Sequence, residues 1–199
     1  MKQIFVFVWL SLLFTGIGGL FWYNEWKFSL PTPVPVCYHA IDPGTHIDLS
    51  HSLANTGDRP VFIHFFNPAC PCSRFNIPHF KSLVKRYGDT ISFAVVVLSK
   101  DKKYTVNDIR EKFDLDIPIL FDSSIATACG VYSTPQAVLL DARHNLYYRG
   151  NYNKSRYCTD KNSNYAQMAI DTLLNNIAHP VFSAYALKAY GCELPVCTK

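Results

Sequence analysis

No charge occurs between Ile4 and Tyr23, a run of twenty residues. At a helical rise of ~1.5 Å per residue such a run spans ~30 Å, the thickness of a bilayer's hydrocarbon core. No small-x-small cleavage site follows it, and no cysteine stands just beyond it for lipid attachment. Both gaps argue for a retained membrane anchor over a cleaved signal peptide. Lys2 precedes the run, and Trp22, Tyr23 and Trp26 suit an interfacial aromatic belt. The chain also lacks an uninterrupted basic cluster. Its net charge of +4 is scattered, and Lys100-Asp101-Lys102-Lys103 reads as a solvated loop, so no nucleic-acid partner is expected. There is no internal repeat. The low-complexity content is confined to Pro31-Thr32-Pro33-Val34-Pro35-Val36, whose alternating prolines exclude helix and central strand and favour an extended spacer off the membrane. His39, His46 and His51 match no compact metal motif, and Cys37 to Asp58 reads as a polar surface loop with a short helix from Ser50.

What the chain does have is cysteine. Seven among 199 residues exceed what a reduced cytosolic protein usually carries, and they place the C-terminal domain in an oxidising, extracytoplasmic compartment. With 49% hydrophobic and 15% aromatic residues, the length accommodates one globular domain with a substantial core plus a short extra segment. The expected organisation is an anchor over 1–27, a proline-rich spacer and entry segment over 28–58, the domain over 59–178 and a cysteine-containing tail over 179–199.

The domain is organised around Val61-Phe62-Ile63-His64-Phe65-Phe66-Asn67-Pro68-Ala69-Cys70-Pro71-Cys72-Ser73. Its first six residues, nearly all β-branched or aromatic and bounded by Pro60 and Asn67-Pro68, predict a buried strand. Pro71 fits the first turn of a helix, continued by Phe75, Ile77, Phe80, Leu83, Val84 and Tyr87 at helical spacing. A thiol at a helix start meets unpaired N–H groups and the positive end of the dipole, which favour its thiolate. Further along, strands are expected at Thr90 to Leu98 and Ile117 to Phe121, and helices at Tyr104 to Phe113 and Ser123 to Cys129. Gln136 to Asp141 and Leu146 to Gly150 predict a hairpin, and Asn164 to Ile177 an amphipathic closing helix. The alternation gives an α/β fold, a sheet with helices on both faces.

In this order and spacing the sequence resembles the thioredoxin-like superfamily, in particular membrane-tethered, extracytoplasmic thiol–disulfide oxidoreductases and peroxiredoxin-related redoxins. The strand-turn-helix with Cys70 at its tip resembles the family's active-site element. Thr134-Pro135 before a strand is similar to its cis-proline loop. The resemblance covers about Arg59 to Ile177 and implies a central mixed sheet flanked by helices, behind one transmembrane helix. It also implies a site with Cys70 as nucleophile, Cys72 as second redox thiol, and Thr134 and Pro135 holding the substrate chain. Partners would be protein thiols or disulfides and a further redox protein that recharges the site, with no cofactor.

The family's usual motif puts two residues between its cysteines, and here Ser73, not Cys72, falls on the second position. A Cys70–Cys72 bridge would close a ring three backbone atoms shorter than usual, and would be strained and easily reduced. Three readings follow: a strained redox pair, a distant resolving thiol for Cys70, or thiolates that bind a soft metal. For the distant thiol, Cys158, Cys192 and Cys197 are resolving or structural candidates, with a Cys158-to-tail disulfide as the structural form. Cys129, on an apolar helix, reads as a small buried hydrophobe. Two alternatives stand beside the oxidoreductase: Cu(I) binding by Cys70, Cys72 and a histidine, for which His79 and His144 are the nearest choices, and a non-catalytic binding module. Peroxidase action lacks its threonine before the cysteines.

Overall fold

The computed structural model describes residues 2–49, 53, 57–99, 104–155, 157–177 and 180–194. The chain divides into a unit ending at Pro31 and a larger one beginning at Thr32. In the first, helix α1 (Lys2–Ser29) exposes apolar side chains all round, and Lys2–Trp26 is long and apolar enough to cross a membrane. A helix apolar on every face suits hydrocarbon rather than the surface of a soluble domain.

In the second unit, β1 (Val61–Phe66), β2 (Ser92–Val97), β3 (Ile119–Leu120), β5 (Gln136–Leu140) and β6 (Leu146–Gly150) form a mixed sheet in the order β3-β2-β1-β5-β6. β1 runs parallel to β2 and antiparallel to β5, and all six of its residues are buried. Successive strand side chains point to opposite faces, so β1 feeds two cores. Phe62 and Phe66 join Ile77, Phe80 and Leu83 of α2 (Pro71–Tyr87), Ile109 of α3 (Val106–Phe113), and Ala166 and Ile170 of α5 (Tyr165–Leu174). Val61, Ile63 and Phe65 join Ile125 and Ala126 of α4 (Ser124–Ala128), together with Ile47 and Leu49. Each large side chain so buried contributes roughly 1.5–3 kcal/mol. The mixed sheet between helices is a thioredoxin-like fold, as the residue order implies.

The structure corrects the reading of the flanking segments. Val34 and Val36 are exposed, as in a spacer, but Thr32 is 5% exposed and its N–H donates to Ala189 O at 2.9 Å, so the proline stretch begins pinned to the domain. An extended proline-rich chain keeps the N–H groups and hydroxyls of its other residues, and these dock. The following stretch is more than a surface loop, since Ile47 and Leu49 are buried in the second core and His46 bridges Asn145. The helix expected from Ser50 begins outside the described residues.

The tail is folded onto the domain as well. Short helix α6 (Ala184–Leu187) buries Ala186, whose carbonyl accepts from Asn151 N–H at 2.8 Å. The Asn151 side chain donates to Tyr185 O and Lys188 O at 2.7 and 2.6 Å. This approach requires Gly150, where a Cβ would stand 2.2 Å from Ala186 O. Beyond α6, β7 (Cys192–Glu193) pairs antiparallel with β4 (Ser133–Thr134) in a separate two-stranded sheet.

Candidate active site

The turn after β1 is built by Asn67. Its side chain accepts from Ala69 N–H at 2.9 Å, and its carbonyl accepts from Cys70 N–H at 3.0 Å. Cys70 then takes the N-cap position of α2 with extended backbone, and Pro71 occupies the first turn, where a missing N–H costs nothing. Ser73, at the usual second-cysteine position, is fully buried and its hydroxyl accepts from Asn67 N–H at 3.3 Å. It closes the turn and carries no redox chemistry.

Cys70 is bonded to Cys192, with a Cα–Cα distance of 6.2 Å across 122 residues of sequence. Of the three readings left open by the sequence, the structure holds the bond to a distant thiol and not a Cys70–Cys72 pair, and Cys72 is a buried thiol. A backbone cause is visible in the register. β4 and β7 place Thr134 opposite Cys192, and Thr134 O lies 3.6 Å from Cys70 Sγ. The Thr134–Pro135 peptide is cis. Leu194 N–H donates to Tyr132 O at 3.2 Å and the Ser133 hydroxyl to Cys192 O at 3.3 Å. The Thr32 hydroxyl contacts Ser133 Oγ at 2.9 Å and Gly191 O at 3.3 Å, tying the entry segment, β4 and the tail together. At Gly191, φ is +150° and a Cβ would sit 2.2 Å from Thr134 O, so glycine alone allows this approach.

Cys158 is also a thiol, so the expected Cys158-to-tail bridge is replaced by the Cys70–Cys192 bond. Its S–H donates to Asn76 Oδ1 at 2.9 Å, and Asn76 Nδ2 donates to Cys72 O at 2.8 Å. Burial pushes the Cys158 thiol up to about 12, far from the thiolate form. Cys129 is fully buried in the second core and is pushed up to about 12 by burial, against a smaller downward pull from Arg149. Cys37 is disulfide-bonded, and Cys197 lies outside the described residues.

Beneath the site on β1, His64 is fully buried, and Nδ1 lies 2.6 Å from the Tyr152 hydroxyl. Burial lowers its pKa to about 3 and raises that of Tyr152 well above its ordinary value, so both are neutral. A neutral Tyr152 donates to Nδ1, which leaves the imidazole proton on Nε2, for which no hydrogen-bond partner lies among the described residues. For Cu(I), a Cys70 and Cys72 pair requires the Cys192 bond to be reduced first. Among the described residues no three His, Cys, Asp or Glu side chains gather as a metal-holding group. The residues that sequence reasoning missed, Thr32, Gly191, His64 and Tyr152, left one legible signal. A histidine inside a strand otherwise wholly apolar must find a buried partner.

A family model described as a domain of unknown function, DUF6436, matches residues 41–196. The chain belongs to this DUF6436 family. Cys70, Cys72, Thr134, Pro135, Cys158 and Cys192 all fall inside the matched span, whereas α1 and Thr32 precede it. Among curated proteins none matches significantly. Of the similar solved structures, a hypothetical protein from Sinorhizobium meliloti 1021 is 18% identical, with 79% of this chain and 96% of that one covered at a TM-score of 0.64. An uncharacterized conserved protein from Geobacillus kaustophilus is also 18% identical, with 83% and 94% covered at 0.62. The thioredoxin domain of a thiol-disulfide oxidoreductase from Bacteroides vulgatus is 16% identical, with 60% and 96% covered at 0.46. With the first two the DUF6436 domain shares a fold, and its chemistry is argued from its own cysteines.

Proposed function

We propose that this protein is a thiol–disulfide oxidoreductase acting on cysteines of extracytoplasmic proteins, held at the membrane by α1, with Cys70 as its nucleophile and Cys192 as the thiol it pairs with. The observation that carries the reading is the Cys70–Cys192 bond at the start of α2. A sulfur at a 17-residue helix's N-cap is a good leaving group and a good nucleophile, because the helix terminus favours its thiolate. When the disulfide accepts electrons, a substrate dithiol becomes a disulfide and Cys70 and Cys192 become thiols, with two electrons and two protons transferred. The reverse reaction reduces a substrate disulfide. Disulfides persist in oxidising compartments, so the bonded Cys37 supports the extracytoplasmic placement together with Cys70–Cys192. Thr134 and Pro135 remain the proposed contact for the chain that carries the partner cysteine, a place the tail strand β7 takes in the bonded form, and Cys72 is proposed as a second redox thiol.

The test is reduction of a fluorescent disulfide peptide to its dithiol by the full chain in detergent, reduced beforehand and freed of reductant. The wild type should complete the reduction and Cys70→Ser should not; equal yields of dithiol for the two would remove Cys70 from the reaction.

A further inference from the structure

The two cysteines of the disulfide are not equally exposed. Cys70 is 2% exposed, at the N-cap of α2, with the Thr134 carbonyl oxygen 3.6 Å from its sulfur. Cys192 is partly exposed, and Glu193 beside it is exposed, on a strand of two residues within the tail. Thiolate attack on a disulfide proceeds in line with the S–S bond. The attacking sulfur must therefore reach the face of the attacked sulfur that is turned away from the leaving one. At Cys70 that approach is closed by burial. The leaving-group preference points the same way, since expulsion favours the thiol with the lower pKa and Cys70 is the one at the helix terminus.

From this asymmetry we infer that Cys192, and not Cys70, is the sulfur through which the protein exchanges with external thiols. The inference rests on the oxidoreductase reading above and specifies its entry point. An incoming thiolate RS⁻ attacks Cys192 Sγ, forming R–S–S–Cys192 and breaking the Cys70–Cys192 bond. The electron pair of the broken bond leaves on Cys70 as its thiolate, facing the first N–H groups of α2. A second thiol of the reductant then attacks the R sulfur, giving the reductant's disulfide and a Cys192 thiolate, which takes up a proton from solvent. In the opposite direction the Cys70 thiolate attacks Cys192 of a mixed disulfide and expels the partner's thiolate. Cys70 thus meets the tail only, and the tail meets the partner.

The tail is built to deliver one sulfur repeatedly to one place. The Thr134–Cys192 register, the Leu194 N–H bond to Tyr132 O and the Thr32 latch on Gly191 O fix Cys192 over Cys70. None of these contacts involves the Cys192 sulfur, so each can reform after an exchange.

The experiment uses the oxidised full chain in detergent and glutathione as the monothiol probe. Samples are acid-quenched from the first seconds onward, thiols are blocked with N-ethylmaleimide, and peptides are mapped by mass spectrometry. The inference predicts an early species with glutathione on Cys192 and maleimide on Cys70. Glutathione on Cys70 with maleimide on Cys192 would overturn it while leaving the oxidoreductase reading intact. A Cys70–Cys192 bond that neither forms an adduct nor opens, even under excess dithiothreitol without denaturant, would overturn both.

Discussion

Thr134 stands opposite Cys192 in a two-residue antiparallel pair, and its carbonyl oxygen lies 3.6 Å from the sulfur of Cys70, to which Cys192 is bonded. One backbone residue therefore contacts both halves of the disulfide. The tail reaches it only because of what surrounds it, and each of these supports gives a separate expectation.

Gly191→Ala removes the one residue that tolerates the approach to Thr134 O. A Cβ there would stand 2.2 Å from that oxygen at a φ of +150°, a strain of about 1–3 kcal/mol. The tail strand is expected to lift, leaving Cys70 unpaired with Cys192. In unreduced protein, alkylation of Cys70 should rise from none to most of the sample.

Thr32→Val keeps the shape and removes the hydroxyl that meets Ser133 Oγ and Gly191 O. Each such hydrogen bond contributes roughly 0.5–1.5 kcal/mol. A lower urea midpoint and faster opening of Cys70–Cys192 by dithiothreitol are expected. An unchanged opening rate would show that the latch does not hold the tail.

His64 makes stability fall in acid. Its folded pKa is lowered to about 3 from 6.5, so between those values the unfolded chain binds a proton that the folded one refuses. Stability is unaffected by this group above pH 6.5 and is lost as pH falls from 6.5 towards 3, at up to about 1.4 kcal/mol per pH unit. Thermal melts at pH 7.5 and 5 should differ, and His64→Gln should narrow the difference.

Cys129 and Cys158, both pushed up to about 12 by burial, are expected to resist iodoacetamide at pH 8 in the native state and to react once urea is added. Rapid native labelling of Cys158 would contradict its bond to Asn76 Oδ1.

The strand, the turn and the helix around Cys70 were legible because their signals are local. A β-branched and aromatic run, Asn67-Pro68 and then Pro71 dictate strand, turn and helix start in consecutive residues. A sheet with helices on both faces followed from the alternation of such runs, whereas the strand order did not. The pairing of Cys70 was not legible, because it depends on contacts across 122 residues. Cys-Pro-Cys draws attention to the nearer thiol, whereas the β4–β7 register brings the distant one. Thr32 was read as part of a spacer because alternating prolines describe backbone conformation and say nothing of where the remaining N–H and hydroxyl groups dock. Ser73 matched a redox position in sequence yet serves the Asn67 turn.

The central claim is that Cys70 is poised by the tail. Its most direct test is disulfide mapping of the full chain, alkylated in situ in the membrane before extraction. The account predicts a peptide pair joining Cys70 to Cys192, with Cys72, Cys129 and Cys158 recovered as thiols. A bond between Cys70 and Cys72, with Cys192 recovered alkylated, would contradict it.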